Sequence, residues 1–481
     1  MRTLKLLRIP FIVLGFLLPL FIVSLITALA LGEKEMLCAF LVPIFFTLAV
    51  SIPSILAIRK KPPNLRSRDS FLLVSLSWFF MGFLGALPYY LSGSGISFTD
   101  AFFESSCGFA TTGATTIFNV EVLPKSLLLW RSLSHWAGGM GIIVLTVALL
   151  PLLGVGGFQL IKAEAPGPEK ERVTPKITAT AKVLWAVYFI LTLILFFLYR
   201  IGGMDVFDAA CHAFTCLATG GVSTKNSGLA YFNSIFIDIV TTIFMMIAAF
   251  NFILYFRLLK GKFKDVICNT EGRAYFLIFI FTCTVITFTL VPYYGSISSA
   301  LRYASFQTAS ILSTTGSAAA DYELWPPLAK AAIFFLMFIG GCSGSTAGGV
   351  KVIRYAVLWK QAGNEIKRLI YPRGIFSVRL NSKPGRKDVV YGVAGFIFLY
   401  FSVVAISTLI TAASGIDLLT AFSASLSVTG NIGTGFGGIG PAHNYGFFPD
   451  HIKWFFSFIM IASRLELWTV FVLFTRDYWR L

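Results

Sequence analysis

Four short turns rich in Gly and Thr interrupt an otherwise apolar chain: Thr111-Thr112-Gly113-Ala114, Thr219-Gly220-Gly221-Val222, Thr314-Thr315-Gly316-Ser317 and Asn431-Ile432-Gly433-Thr434. Their glycines lie 108, 95 and 117 residues apart, far beyond any solenoid period. A short, weakly polar apolar segment precedes each turn and a longer apolar run follows it. A chain that brings four such turns together can ring one axis with backbone carbonyls, which is how a cation filter is built.

The surroundings of these turns are lipid-compatible. Charged residues make up 13% of the 481-residue chain and hydrophobic residues 56%, whereas a soluble domain carries about 25% charged residues. The chain is therefore read as an integral membrane protein. Its net charge of +17 does not point to nucleic acid, because the cations sit in a few short loops. Arg59, Lys60, Lys61, Arg66 and Arg68 form one group; Arg257, Lys260, Lys262 and Lys264 form a second. The stretch 351–387 carries Lys351, Arg354, Lys360, Lys367, Arg368, Arg373, Arg379, Lys383, Arg386 and Lys387 against one acid, Glu365. Intervening loops such as 92–97 and 441–448 carry no Lys or Arg. The positive-inside rule puts the basic loops, and with them both termini, in the cytoplasm. The apolar run 9–31 behind Arg2, Lys5 and Arg8 is long enough to span ~30 Å of hydrocarbon, so it reads as a retained helix and not a cleaved leader. The seven cysteines form no C-x-x-C pair and read mostly as small buried hydrophobes.

Apolar runs predict ten spanning helices, near 9–31, 36–58, 70–92, 126–153, 181–201, 230–256, 272–293, 326–349, 389–412 and 452–475. The segments 99–110, 206–218, 299–313 and 417–429 are too short to cross and read as re-entrant. If they dip and return, every basic loop falls on one side. The predicted organisation is an all-α polytopic membrane protein. Two N-terminal helices (1–68) precede four pseudo-repeats of helix, re-entrant pore loop and helix, at 69–160, 161–258, 259–356 and 357–481. Asp100, Asp205 and Asp417 open three of the re-entrant segments, where a carboxylate can cap free amides.

A dehydrated K+ needs oxygens in place of its water, and carbonyls supply them without fixed charge. The candidate donors are the two residues before each glycine: Thr111 and Thr112, Thr219 and Gly220, Thr314 and Thr315, Asn431 and Ile432. Gly113, Gly221, Gly316 and Gly433 let the chain turn there. Close helix packing through small residues explains any one turn equally well, but not four at matching places. The expected bound species is K+, with no organic cofactor.

These turns, on a ten-span chain with two extra N-terminal helices, resemble the TrkH/KtrB/HKT superfamily of potassium transporters, and its TrkH branch most. The resemblance rests on Thr-Thr-Gly-Ala-Thr (111–115), Ala-Thr-Gly-Gly (218–221), Thr-Thr-Gly (314–316), Gly-Asn-Ile-Gly-Thr-Gly (430–435) and Gly-Gly-Cys-Ser-Gly-Ser-Thr-Ala-Gly-Gly-Val-Lys (340–351). Thr434 and Ser317 depart from the family pattern, in which Pro and a bulky residue are usual. The resemblance implies a homodimer in lipid, in a bacterial or archaeal cytoplasmic membrane. It also implies a cytosolic nucleotide-binding ring of the TrkA type docking on basic loops such as 351–388, and no nucleic acid.

Gly340, Gly341, Gly344, Gly348 and Gly349 break what would otherwise be a spanning helix, at ~1 kcal/mol each relative to Ala. Irregular backbone at that depth must be buried or line a cavity, and the resemblance implies a gating loop under the filter. A phosphate loop is rejected, because Val350-Lys351 stands where Lys-Ser/Thr is needed. Arg464, inside the last apolar run, costs ~2.5–3.5 kcal/mol on insertion scales, so it should face a cavity or a partner. Glu466, two residues on, faces another side of the helix and is a poor partner. Glu104 reads as a hydrogen-bonding group behind the filter or a steering charge, and His135 and Arg131 as helix anchors. No catalytic set is found, so an enzyme is not expected. The expected function is potassium uptake by channel-like permeation through one carbonyl filter gated by the 340–349 loop. The alternative is a symporter coupling K+ to H+ or Na+ by alternating access.

Overall fold

The computed structural model describes residues 6–60, 67–141, 177–381, 383–384 and 387–480. Within them the regular secondary structure is helical. A two-residue antiparallel ladder, Arg379–Leu380 with Lys383–Pro384, is the one exception. Six unbroken helical stretches are long and apolar enough to cross a membrane: Arg8–Leu31, Glu35–Ala57, Arg68–Tyr90, Lys182–Ile201, Thr270–Tyr294 and Val389–Ala413. Their outer faces expose large apolar side chains, among them Phe45, Phe281, Phe288 and Phe398, as a lipid-facing surface requires.

Inside this shell lie four short helices, Phe98–Ala110, Val206–Leu217, Ile297–Leu312 and Leu418–Gly430, each ending at one of the Gly/Thr turns. They are buried nearly all round; in the first, every residue from Ala101 to Ala110 is inside. Their starts follow capping chemistry. Asp205 accepts from the Asp208 amide at 2.6 Å and Asp417 from that of Thr420 at 3.0 Å. In the first helix the cap is Ser97, not Asp100. Asp100 stands three residues later, receives the Ser97 hydroxyl at 2.7 Å and pairs with Lys453 at 2.7 Å. Asp205→Ala is expected to cost about 1 kcal/mol, the worth of a cap, read as a lower thermal midpoint in detergent with the short helix otherwise retained.

After each turn the chain runs into a second helix, and here the structure departs from the expected continuous spans. Lys125–Gly139, Ile235–Ala248, Pro327–Leu336 and Asp450–Arg464 stop after 15, 14, 10 and 15 residues. Two of them continue as bent pairs, turning by 95° into Phe252–Leu259 and by 108° into Trp468–Phe474. Counting each pair as one span, the described residues hold up to eight spans. The expected span 126–153 lies outside the described residues beyond 141, as does the boundary expected near 160. The span expected at 326–349 is a ten-residue helix followed by irregular backbone. Hydropathy could not show these breaks, because the backbone groups they free are satisfied by partners distant in sequence. Cys342 donates to the Ala249 carbonyl at 2.8 Å, and the Thr346 hydroxyl donates to that of Ala248 at 3.0 Å.

The N-terminal helices buttress helix Lys125–Gly139. Phe21 stacks on Trp130 at 4.3 Å. Pro124 offers no side-chain cap to helix Lys125–Gly139, and Glu33 fills the role by accepting from the amides of Lys125 and Ser126 at 2.8 and 3.1 Å.

Candidate functional site: a closed ring of four turns above a glycine-rich loop

Each short helix ends in the same way. The amide of the turn's second residue reaches back five residues: Thr112 to the Cys107 carbonyl (3.0 Å), Gly220 to Thr215 (2.8 Å), Thr315 to Ser310 (2.9 Å) and Ile432 to Ser427 (2.9 Å). The first residue is left-handed in all four, with φ of 53° at Thr111, 56° at Thr219, 56° at Thr314 and 52° at Asn431. This is the Schellman termination, which ordinarily uses glycine. A β-branched Thr in that conformation is strained, and such strain persists where the surroundings hold it for a function. The third residue, the glycine, is again at positive φ, from 65° at Gly221 to 93° at Gly433.

Close approach, more than φ, demands these glycines. A methyl group on Gly113 would meet the Gly220 carbonyl oxygen, and one on Gly221 that of Thr315. On Gly316 it would strike the Ile432 oxygen, and on Gly433 the Thr112 oxygen. Each glycine thus packs on the carbonyl just before the next turn's glycine, and the fourth returns to the first. The ring is closed, with the turns in chain order around it. Asn431 donates to the Thr112 hydroxyl at 2.9 Å, fastening the closure. All twelve proposed turn residues, 111–113, 219–221, 314–316 and 431–433, belong to this ring. Four helix C-termini point their partial negative charge at it, roughly half an elementary charge each. Among the described residues no group of three or more His, Cys, Asp or Glu could hold a metal, so the oxygens on offer are carbonyls and hydroxyls.

The ring is held from behind. Cys107 and Ser310, each six residues before its glycine, donate to the carbonyls of Ala114 and Ser317, each one residue past it. Glu104 is 1% exposed and accepts from the Thr116 amide and the Thr115 hydroxyl, both at 2.7 Å. Arg131, 3% exposed, pairs with Glu104 at 3.1 Å and donates to the Ser223 carbonyl at 3.2 Å, tying the first turn to the second. Glu104 is therefore a brace, with no exposed face to steer ions. The sequence reading placed Arg131 only as an anchor. The available signal was an acid inside an apolar segment of a chain so poor in charge. Arg131→Ala leaves that carboxylate buried without its cation, and a loss of roughly 3–5 kcal/mol is expected. Thermal unfolding in detergent measures it, and an unchanged midpoint would contradict the brace.

Beneath the ring runs the Gly-rich loop, which folds back on itself: Gly340 donates to the Val350 carbonyl at 2.8 Å and packs on Gly348 and Gly349. Gly341 lies against Ala249, the Gly344 carbonyl accepts from the Phe252 amide at 3.0 Å, and Gly348 abuts the Gly430 carbonyl and Asn431. Its two stems meet at Glu271, 5% exposed, which accepts from the Ser343 amide at 2.6 Å and the Ile353 amide at 3.3 Å. Sequence reasoning missed Glu271, since nothing local links residue 271 to residue 343. Arg464 projects beneath the ring and donates to three carbonyls: Thr346 at 2.7 Å, Gly138 at 2.8 Å and Gly139 at 2.9 Å. One guanidinium thus joins the loop to the C-terminal end of helix Lys125–Gly139. Glu466 turns away and pairs with Arg354 at 2.6 Å, while Arg354 stacks over Phe396 at 3.6 Å.

Comparison with known proteins agrees with this architecture. The family described as TrkH, cation transport protein, matches residues 38–480. The chain is 40% identical over 442 residues to the Trk system potassium uptake protein TrkH of Escherichia coli K12, covering 90% of this chain and 91% of that one. It is 38% identical over 486 residues to the protein of the same name from Halomonas elongata, covering 98% and 99%. The crystal structure of the potassium transporter TrkH from Vibrio parahaemolyticus superposes over 100% of both chains with a TM-score of 0.88 at 35% identity. This polytopic, all-helical chain belongs to the TrkH family of cation transport proteins.

Proposed function

We propose that this chain is the ion-conducting membrane subunit of a potassium uptake system. The observation that carries the reading is the closed ring, in which each filter glycine packs on the carbonyl of the next turn. K+ sheds water there against the carbonyls of Thr111, Thr112, Thr219, Gly220, Thr314, Thr315, Asn431 and Ile432. One quarter of the ring comes from each unit, 69–160, 161–258, 259–356 and 357–481. The membrane potential drives entry, at ~2.3 kcal/mol per charge per 100 mV. Gly340 to Gly349, pinned by Arg464, closes the path below, and permeation requires that loop to move. Relatives of this similarity are potassium uptake proteins by name, which supports K+ as the cargo. The working form is a homodimer in the cytoplasmic membrane with both termini inside. Helix Val352–Ile370, with Trp359 exposed beside Lys360, offers a docking face for a cytosolic regulatory ring of the TrkA type.

Flux through purified protein in liposomes tests the reading. K+ entry should follow an imposed potential with no co-ion gradient, and should fall sharply when Na+ replaces K+. Flux that persists only with a Na+ or pH gradient would replace this mechanism with ion-coupled symport.

A further inference from the structure

We propose that the side-chain hydroxyls of Thr219 and Thr314 latch the Gly-rich loop onto the ring itself, so that loop closure and a cation at the ring's inner mouth compete for the Thr314 oxygen and for the orientation of the Thr219 hydroxyl. The proposal rests on the gate reading above and adds a coupling between gate and filter. The Gly348 amide donates to the Thr314 hydroxyl at 2.7 Å. The Thr219 hydroxyl lies 2.9 Å from the Thr346 carbonyl and 2.6 Å from that of Ala218, so its single proton is shared between a loop acceptor and a local one. Both side chains stand on the strained left-handed residues of their turns, so they report directly on ring geometry.

The other two turns are not latched in this way. Among the described residues the Thr111 hydroxyl and the Asn431 side-chain carbonyl oxygen find no hydrogen-bond partner, and the Asn431 amide group points instead at Thr112 and the Met460 carbonyl. The four equivalent positions therefore divide into a latched half, from the second and third turns, and a half with oxygens to spare. A cation at the inner mouth draws on oxygen lone pairs from all four. With the loop docked, Gly348 engages the Thr314 oxygen and the Thr219 hydroxyl is oriented by the loop's Thr346 carbonyl. Release of the loop returns both hydroxyls to the mouth. Because linkage is reciprocal, a cation bound there must in turn favour release.

Two measurements test this. In liposomes, Thr314→Val and Thr219→Val, which keep shape and backbone but remove the hydroxyl, should each raise basal K+ flux about fivefold, a single hydrogen bond's net worth. Thr314→Ser and Thr219→Ser, which restore the hydroxyl, should each rise less than the matching valine variant. Valine variants with unchanged flux, or serine variants that rise equally, overturn the latch. The second readout leaves both threonines intact. In a background with exposed Cys38 and Cys268 replaced by Ser, a Ser345→Cys protein should be alkylated from the cytoplasmic side faster in K+ than in choline. Equal rates overturn the coupling. Arg464→Ala separates the two levels of the argument. If it raises flux and the valine variants do not, the latch fails and the gate stands; if none raises flux, both fail.

Discussion

Gly316→Ala is expected to abolish most of the discrimination between K+ and Na+, by at least tenfold in relative permeability. A factor of ten corresponds to about 1.4 kcal/mol, a small demand on a substitution that puts a methyl group into the Ile432 carbonyl oxygen at a backbone φ of 74°. The carbonyl must tilt away, and its displacement passes to the next turn because the ring is closed. Gly221→Ala should be equally severe, since its methyl would strike the Thr315 oxygen just as deeply. Gly113→Ser should follow in the same direction with a smaller effect, its built carbon lying 2.5 Å from the Gly220 oxygen. Bi-ionic reversal potentials or competitive flux ratios measure this order. Retained selectivity in Gly316→Ala would show that the ring is packing and not filter.

Arg464→Ala should raise basal K+ flux at least tenfold. The substitution removes three hydrogen bonds from one guanidinium, and bonds to charged groups contribute ~1.5–3 kcal/mol each. It also removes a positive charge below the ring. The Thr346 and Gly138 carbonyls would each lose one of their donors and the Gly139 carbonyl would lose the guanidinium, so Arg464 would no longer join the loop to the helix end. Arg464→Lys should fall between, because an ammonium keeps the charge and loses the planar fork that spans three acceptors. Unaltered flux in folded Arg464→Ala protein would leave the arginine a structural tie only.

The turns were readable before any coordinates because their signal is local. Gly and Thr at fixed offsets between apolar runs specify a chain reversal wherever they occur, and the long helices announced themselves by length and hydropathy. Asp205 and Asp417 were legible as caps for the same reason, and Asp100 misled only because Ser97, three residues earlier, does the capping. The second helices misled more. Their apolar runs continue past the breaks at Ala248 and Arg464, so composition gave no reason to stop them. At Ala248 the break is allowed by the Gly-rich loop, which donates to the carbonyls of Ala248 and Ala249 that the break sets free.

By itself the sequence determined that this chain lives in a membrane, where its six long apolar helices lie, where the four turns lie and that Arg464 needed a partner. These follow from the cost of exposing polar groups to hydrocarbon, which each segment meets or fails to meet alone. Only the tertiary structure decided that the turns close in chain order, that Arg131 braces Glu104, that Glu271 clasps both stems of the loop, and that Arg464 joins the loop to the end of helix Lys125–Gly139. Those contacts join residues whose separation in sequence ranges from tens to hundreds. Buried polar groups must find partners, but that rule leaves the identity of each partner to the fold.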